Sequence, residues 1–214
     1  MSLAWKIAQK AERKWWQIYL KNKEVAAYTS WKLTYWKTLL DTISDSVSIQ
    51  PTNTVLDAGC GPAGIFMASP DHNLTAIDPL IDMYETDLPH FKRSNYPNVN
   101  FKAIGIEDFA DEKQYDLIFC MNAINHVSDI KKGYANLAKL LKTKGKLVIS
   151  IDVHNHSFFK YIFRILPGDI LHPCQYDLDE YAAFLTNHNM AILKTEKLKS
   201  GFFFDYYVQV AEKN

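Results

Sequence analysis

A chain of 214 residues with 48% apolar content has enough material for one globular domain and an appendage. Lysine plus arginine and aspartate plus glutamate both number 24, so the balance recommends neither nucleic acid nor acidic lipid as a partner, since both demand a positive surplus. No apolar run reaches the roughly 18 residues of a membrane span, MSLAWKIAQK lacks the apolar core of a leader, and the scattered cysteines Cys60, Cys120 and Cys174 suit a reduced, cytoplasmic setting.

Residues 3–44 contain neither glycine nor proline and carry large residues at helical spacing. Trp5, Ala8, Trp15, Trp16, Tyr19 and Leu20 come first, then Tyr28, Trp31, Tyr35, Trp36, Leu39, Leu40 and Ile43, which predicts two helices divided near Asn22. All five tryptophans lie here. They pack the helices onto the main body; or the second helix covers a ligand site, with Tyr28, Trp31 or Trp36 facing it; or the Trp and Lys mixture marks a helix for a membrane surface.

The next stretch, VLDAGCGPAG at 55–64, is a short apolar run followed by Gly59, Gly61 and Gly64 at G-x-G-x-x-G spacing. Glycine permits φ > 0 and lets backbone N–H groups close on a ligand. Asp78 ends the next apolar run, LTAID, about twenty residues on, where a carboxylate can accept from a ribose diol. The combination predicts an adenosine-containing cofactor. Asp57 would oppose a diphosphate but suit an ammonium, and Pro62 removes a donor from the loop. VLDAGCGPAG resembles motif I of the class I S-adenosylmethionine-dependent methyltransferases, and AID resembles their motif II.

From Thr52 onward, short apolar runs alternate with helical segments, the pattern of a mostly parallel sheet. The runs are TVLDA, LTAID, VNFKAI, YDLIFCMNA, GKLVISIDV, MAILKTEKL and FFFDYYVQVA. An amphipathic helix is expected over 129–141 with Ser128 as its N-cap, and Gly145 restarts the chain as a strand. A second helix over 177–188 opens on a capping box of Asp177 and Glu180. The last two runs are joined only by Lys199, Ser200 and Gly201, too short for a parallel crossover, so they form an antiparallel pair. The resemblance implies the same arrangement: an α/β, Rossmann-like, seven-stranded, mostly parallel sheet with an antiparallel C-terminal hairpin and helices on both faces. Residues 1–46 then form an N-terminal helical extension or lid, and 47–214 the cofactor-binding methyltransferase domain.

The resemblance spans roughly 52–211 and continues in IGIEDF, similar to the segment that holds the adenine. Gly105 stands where the family often has an aspartate, leaving the backbone of Ile106 and the side chain of Glu107 or Asp108. YDLIFCMNAINHV resembles motif IV, and LLKTKGKLVIS a segment that more often reads L-K-P-G-G. The implied cofactor site comprises Asp57, Ala58, Gly59, Cys60, Gly61 and Gly64 around the methionine portion, Asp78 and Pro79 at the ribose, Ile106 and Glu107 at the adenine, and Met121 and Asn122 near the methyl group. Tyr28, Trp31 or Trp36 would face the sulfonium.

The Asn/Asp-Pro-Pro-Tyr/Phe signature of DNA-base and glutamine methyltransferases is absent; Met121, Asn122, Ala123 and Ile124 stand in its place. The stretch is closer to the ubiquinone-pathway O-methyltransferases and their small-molecule relatives, which implies a small-molecule acceptor, with oxygen preferred. Asn122 and Asn125 stand where some relatives carry acids proposed as metal ligands, and asparagine is a weaker ligand for hard cations; no metal is expected. Methyl transfer is an in-line displacement that needs a base only if the acceptor arrives protonated. His126, beyond the fourth strand, is the leading base, against a reading as a helix-start histidine bonded to backbone. His154 and His156 follow. Arg164, His172 and Tyr176, in the apolar segment 157–176, are expected to contact the acceptor. Two other readings stand: a non-catalytic protein binding S-adenosylmethionine or S-adenosylhomocysteine, and an NAD-dependent oxidoreductase.

Overall fold

The segment without glycine or proline folds as two 18-residue helices, α1 (Leu3–Leu20) and α2 (Val25–Thr42). The break falls where expected, because Glu24 caps α2: its carboxylate accepts from Ala26 N at 2.9 Å and Ala27 N at 2.6 Å. The computed structural model describes residues 3–69, 74–154, 176–201 and 204–214.

The seven strands are β1 (Val55–Ala58), β2 (Leu74–Ile77), β3 (Val99–Lys102), β4 (Tyr115–Cys120), β5 (Leu141–His154), β6 (Met190–Lys199) and β7 (Phe204–Lys213). They form one sheet in the order β3-β2-β1-β4-β5-β7-β6. The pairs from β3 across to β5 are parallel, while β7 runs antiparallel to both β5 and β6. This is the arrangement expected from the alternating runs and the short final link. β1 and β2 are buried at every position, as strands covered on both faces must be.

Two apolar clusters cover the two faces. On one, Tyr28, Trp36 and Leu39 of α2 and Ile43 just after it join Val55 and with it Ile81 and Tyr84 of α3 (Ile81–Asp87). On the other, Leu56 and Ala58 meet Tyr134 and Leu137 of α4 (Ile130–Leu140) and Tyr181 and Leu185 of α5 (Leu178–Thr186). The capping box of α5 forms as read, with Asp177 and Glu180 exchanging bonds at 2.9 Å.

Two boundaries differ from expectation. Asp129, not Ser128, caps α4 by accepting from Lys132 N at 3.1 Å, because Ser128 gives its N–H and its hydroxyl to Glu107 Oε1. β5 begins at Leu141, opposite Tyr115, and resumes at Lys146 opposite Leu117 after a register shift. Lys144, at φ 62°, makes the turn within that bulge.

The N-terminal helices are held unequally. At the end of α2 and just after it, Lys194 Nζ donates to Thr42 O at 2.7 Å and pairs with Asp45, while Lys146 Nζ donates to Ser46 O at 2.6 Å. The Trp36 indole donates to Ala63 O at 3.1 Å from a buried position. α1 is joined to α3 by Arg13 and Gln17, which both donate to Asp87. Among the described residues, no helix is long and apolar enough to cross a membrane.

Candidate functional site

The strand order reverses at β1, which has β2 on one side and β4 on the other, and ligands of open α/β sheets bind at the carboxyl ends beside such a point. The glycine loop leaves β1 there. Gly59 N and Cys60 N both donate to Ile77 O, at 2.8 and 3.0 Å, which folds the loop over the end of β2. Gly59 holds φ at 71°, and a Cβ on it would run into Ala123 Cβ, three residues past β4. A Cβ on Gly64 would strike Asp57 Oδ2, the atom that accepts from Phe66 N at 3.2 Å. Asp57 thus ties the loop to the following 3-10 turn, Ile65–Ala68. Asp78 organises the loop from the other side, its Oδ2 accepting from Gly61 N at 3.0 Å and its Oδ1 from Leu80 N at 2.8 Å.

A cavity of about 500 Å3 opens between this loop and the N-terminal helices. The structure brings most of the residues picked out from the sequence to it. Asp57, Gly59, Cys60, Gly61, Gly64, Asp78 and Pro79 line it from the loop and the strand ends, Ile106 and Glu107 from the segment after β3, and Met121, Asn122 and His126 from beyond β4. Tyr28, Trp31 and Trp36 line it from α2.

Ala58 and Tyr176 are not brought there. Alternate residues of a strand face opposite ways, so Ala58 joins Leu56 in the cluster under α4 while Asp57 faces the cavity. Tyr176 packs edge-on against Tyr181 and Phe184, with ring centroids 5.7 and 5.2 Å away, which commits it to the core beside α5. His154 closes β5, but its side chain lies outside the described residues, as do His156, Arg164, His172 and Cys174. Asn125 is committed to the fold: its Oδ1 accepts from the buried Tyr181 hydroxyl at 2.8 Å. Glu107 Oε1 holds Ser128 and Asp129 N at the start of α4, and Asp108 pairs with Lys132.

Several lining residues were missed by the sequence reading. Trp5, Trp15, Trp16 and Tyr19 of α1 and Tyr35 of α2 complete an aromatic wall. Lys32 reaches in from α2, its Nζ 4.9 Å from the ring centroids of both Tyr35 and Trp36. Lys32 lies one, three and four residues from Trp31, Tyr35 and Trp36, and that helical spacing was the available signal. Opposite, a polar chain runs from Asn122 N to Ser150 Oγ at 2.7 Å and on to the Tyr206 hydroxyl at 2.8 Å. It braces Asn122, which stands at φ 53°, a conformation an asparagine side chain tolerates better than most. Among the described residues, no group of three or more His, Cys, Asp or Glu is placed to hold a metal.

The electrostatics are those of buried acidic groups. Burial pushes Asp57 up to about 7 and Asp78 up to about 6, against backbone donors that favour ionisation. Glu12 of α1 is raised to about 7, first by burial and then by Asp78. Burial lowers Lys32 to about 8, with Asp57 opposing the shift. Each of the three carboxyls holds its proton more tightly folded than unfolded. Folding therefore takes up protons between about pH 4 and 7, and stability falls as pH rises through that window. The free protein is expected to melt at a higher temperature at pH 5.5 than at pH 7.5; an unchanged or reversed order in thermal melts would contradict the buried-acid description.

Comparison with known proteins agrees with this geometry. Residues 49–176 match a family profile described as a methyltransferase domain. A ubiquinone biosynthesis O-methyltransferase of Rickettsia bellii is 32% identical over 134 residues, covering 61% of this chain and 55% of that protein. The chain thus spans about half the length of the curated relatives it matches. The YcgJ protein of Bacillus subtilis superposes with a TM-score of 0.68 at 17% identity, over 81% of this chain and 97% of that one. The 1,6-didemethyltoxoflavin-N1-methyltransferase of Burkholderia thailandensis, solved with 1,6-didemethyltoxoflavin and S-adenosylhomocysteine, gives 0.65 at 16% identity, over 100% and 91%. With the profile matched over more than half its length and the sheet ending in its antiparallel pair, the chain belongs to the methyltransferase-domain family.

Proposed function

We propose that the chain transfers a methyl group from S-adenosylmethionine to a small-molecule acceptor, an oxygen nucleophile in preference to carbon or nitrogen. The observation that carries this reading is the pair of buried carboxyls, Asp57 and Asp78, flanking a glycine loop in a cavity walled by aromatic rings. A volume of about 500 Å3 lies within the range of small-molecule sites. An ammonium and a sulfonium suit these acids, and an aromatic face attracts a cation by about 0.5–2 kcal/mol. A dinucleotide would instead bring a diphosphate against Asp57 and Asp78, with Lys32 to offset it.

In this reading Asp57 orients the methionine ammonium end and the glycine backbone lines the methionine portion. Asp78 holds the ribose, while Ile106 and the second oxygen of Glu107 serve the adenine. Residues 1–46 close over the domain formed by 47–214. The transfer neutralises the sulfonium as the methyl leaves sulfur for the acceptor, so orientation and exclusion of water supply most of the rate. His126, in the cavity beyond β4, takes the proton of an acceptor that arrives protonated. The similarity to ubiquinone biosynthesis O-methyltransferases supports an oxygen acceptor.

Calorimetric titration with S-adenosylhomocysteine and with NAD tests the cofactor. Binding of the first and not the second is expected, and failure of S-adenosylhomocysteine to bind would overturn the proposal. Incubation with methyl-labelled cofactor and a metabolite extract then identifies the acceptor by the species that gains label.

A further inference from the structure

The glycine loop and Asp78 account for one side of the cavity; α1 covers the other. Trp16 lies directly over the loop, its Cζ2 3.6 Å from where a Gly61 Cβ would stand, and its ring meets Tyr84 edge-on at 6.2 Å. Glu12, one helical turn before Trp16 on the same face, also lines the cavity. Its Oε1 accepts from the Tyr84 hydroxyl at 3.4 Å. Gln9, three residues before Glu12, lines the cavity too and carries a buried side-chain oxygen with no hydrogen-bond partner. The Tyr84 hydroxyl donates to Glu12, and Gly61 N and Leu80 N donate to Asp78.

Acceptor capacity here exceeds the supply of donors once these carboxyls are ionised, since each carboxylate oxygen can accept twice. A ligand group that brings two adjacent O–H donors corrects the deficit. The geometry points to Glu12 as a second diol-binding residue, supplied by α1, which takes a ribose hydroxyl of the cofactor from the face opposite Asp78. This rests on the S-adenosylmethionine reading and adds to it the residue by which α1 senses the cofactor. The bidentate Arg13–Asp87 pair, on the residue next to Glu12, fixes the height at which α1 presents it.

The test is a two-by-two calorimetric titration of the full chain. Wild type and Glu12→Gln are each titrated with S-adenosylhomocysteine and with its analogue lacking both ribose hydroxyls. Loss of a charge-assisted bond is expected to weaken S-adenosylhomocysteine roughly 10- to 100-fold in the variant. The hydroxyl-free analogue should bind wild type and variant alike, within about twofold. Equal weakening of both ligands would make Glu12 a packing residue and overturn the inference. If S-adenosylhomocysteine fails to bind even the wild type, the cofactor reading falls first and this inference falls with it.

Discussion

Replacing Asp78 with alanine is expected to weaken binding of S-adenosylhomocysteine by about 100-fold, the size of one or two lost charge-assisted bonds. The carboxylate does two things at once. It lines the cavity, and it holds Gly61 N at 3.0 Å and Leu80 N at 2.8 Å, so its removal also takes away one of the loop's fastenings, while the bonds of Gly59 N and Cys60 N to Ile77 O remain. The domain nevertheless stays folded, because neighbouring Ile77, Leu80 and Ile81 remain buried in both apolar clusters. Thermal melts should therefore shift by a few degrees while affinity collapses. Asp78→Asn separates the two duties, since an amide keeps one accepting oxygen and loses the charge; an intermediate affinity is expected. Unchanged binding in the alanine variant would remove Asp78 from the ribose site.

Gly59→Ala should be the more damaging single methyl group. The added Cβ meets Ala123 Cβ, and the residue is held at φ 71°, which costs a non-glycine residue on the order of 1–3 kcal/mol even without the clash. The loop cannot yield easily, because Gly59 N and Cys60 N are both bonded to Ile77 O. Loss of measurable cofactor binding and a clear drop in melting temperature are expected. Adding Ala123→Gly to Gly59→Ala relieves the clash but not the backbone strain, so stability should recover in part. Full recovery in the double variant would show that strain contributes nothing; no recovery would show that the contact with Ala123 is not the cause.

The parts legible in the sequence were those governed by local rules. The buried runs that became β1 and β2, the glycine spacing, the capping box of α5 and the short link between β6 and β7 each follow from backbone chemistry within a few residues. What escaped were choices between faces. Asp57 and Ala58 are neighbours in one motif, yet the pleat sends one to the cavity and the other to the core, so the motif alone overstated Ala58. Tyr176 read as a substrate contact because its segment is apolar, and its ring is spent on Tyr181 and Phe184 instead. Glu12 and Lys32 were invisible for the opposite reason. A charged residue on an amphipathic helix normally faces water, and only the docking of α1 and α2 over the glycine loop turns these two inward.

The unequal fastening of the two N-terminal helices has a kinetic meaning. α2 and the residues just after it are bound to the sheet through Lys194 of the edge strand β6 and Lys146 of β5, and bury Trp36, Leu39 and Ile43. α1 leaves Trp15 and Ile18 exposed at 43% and 63%, and an ion pair at the protein surface joins it to α3. Local opening follows the weakest attachment, so amide hydrogen exchange is expected to be faster along α1 than along α2; equal rates would count against α1 as the part that opens. If α1 is the part that opens, the residence time of a bound cofactor is expected to shorten as dissolved salt loosens the Arg13–Asp87 pair, far from any atom that takes part in the chemistry.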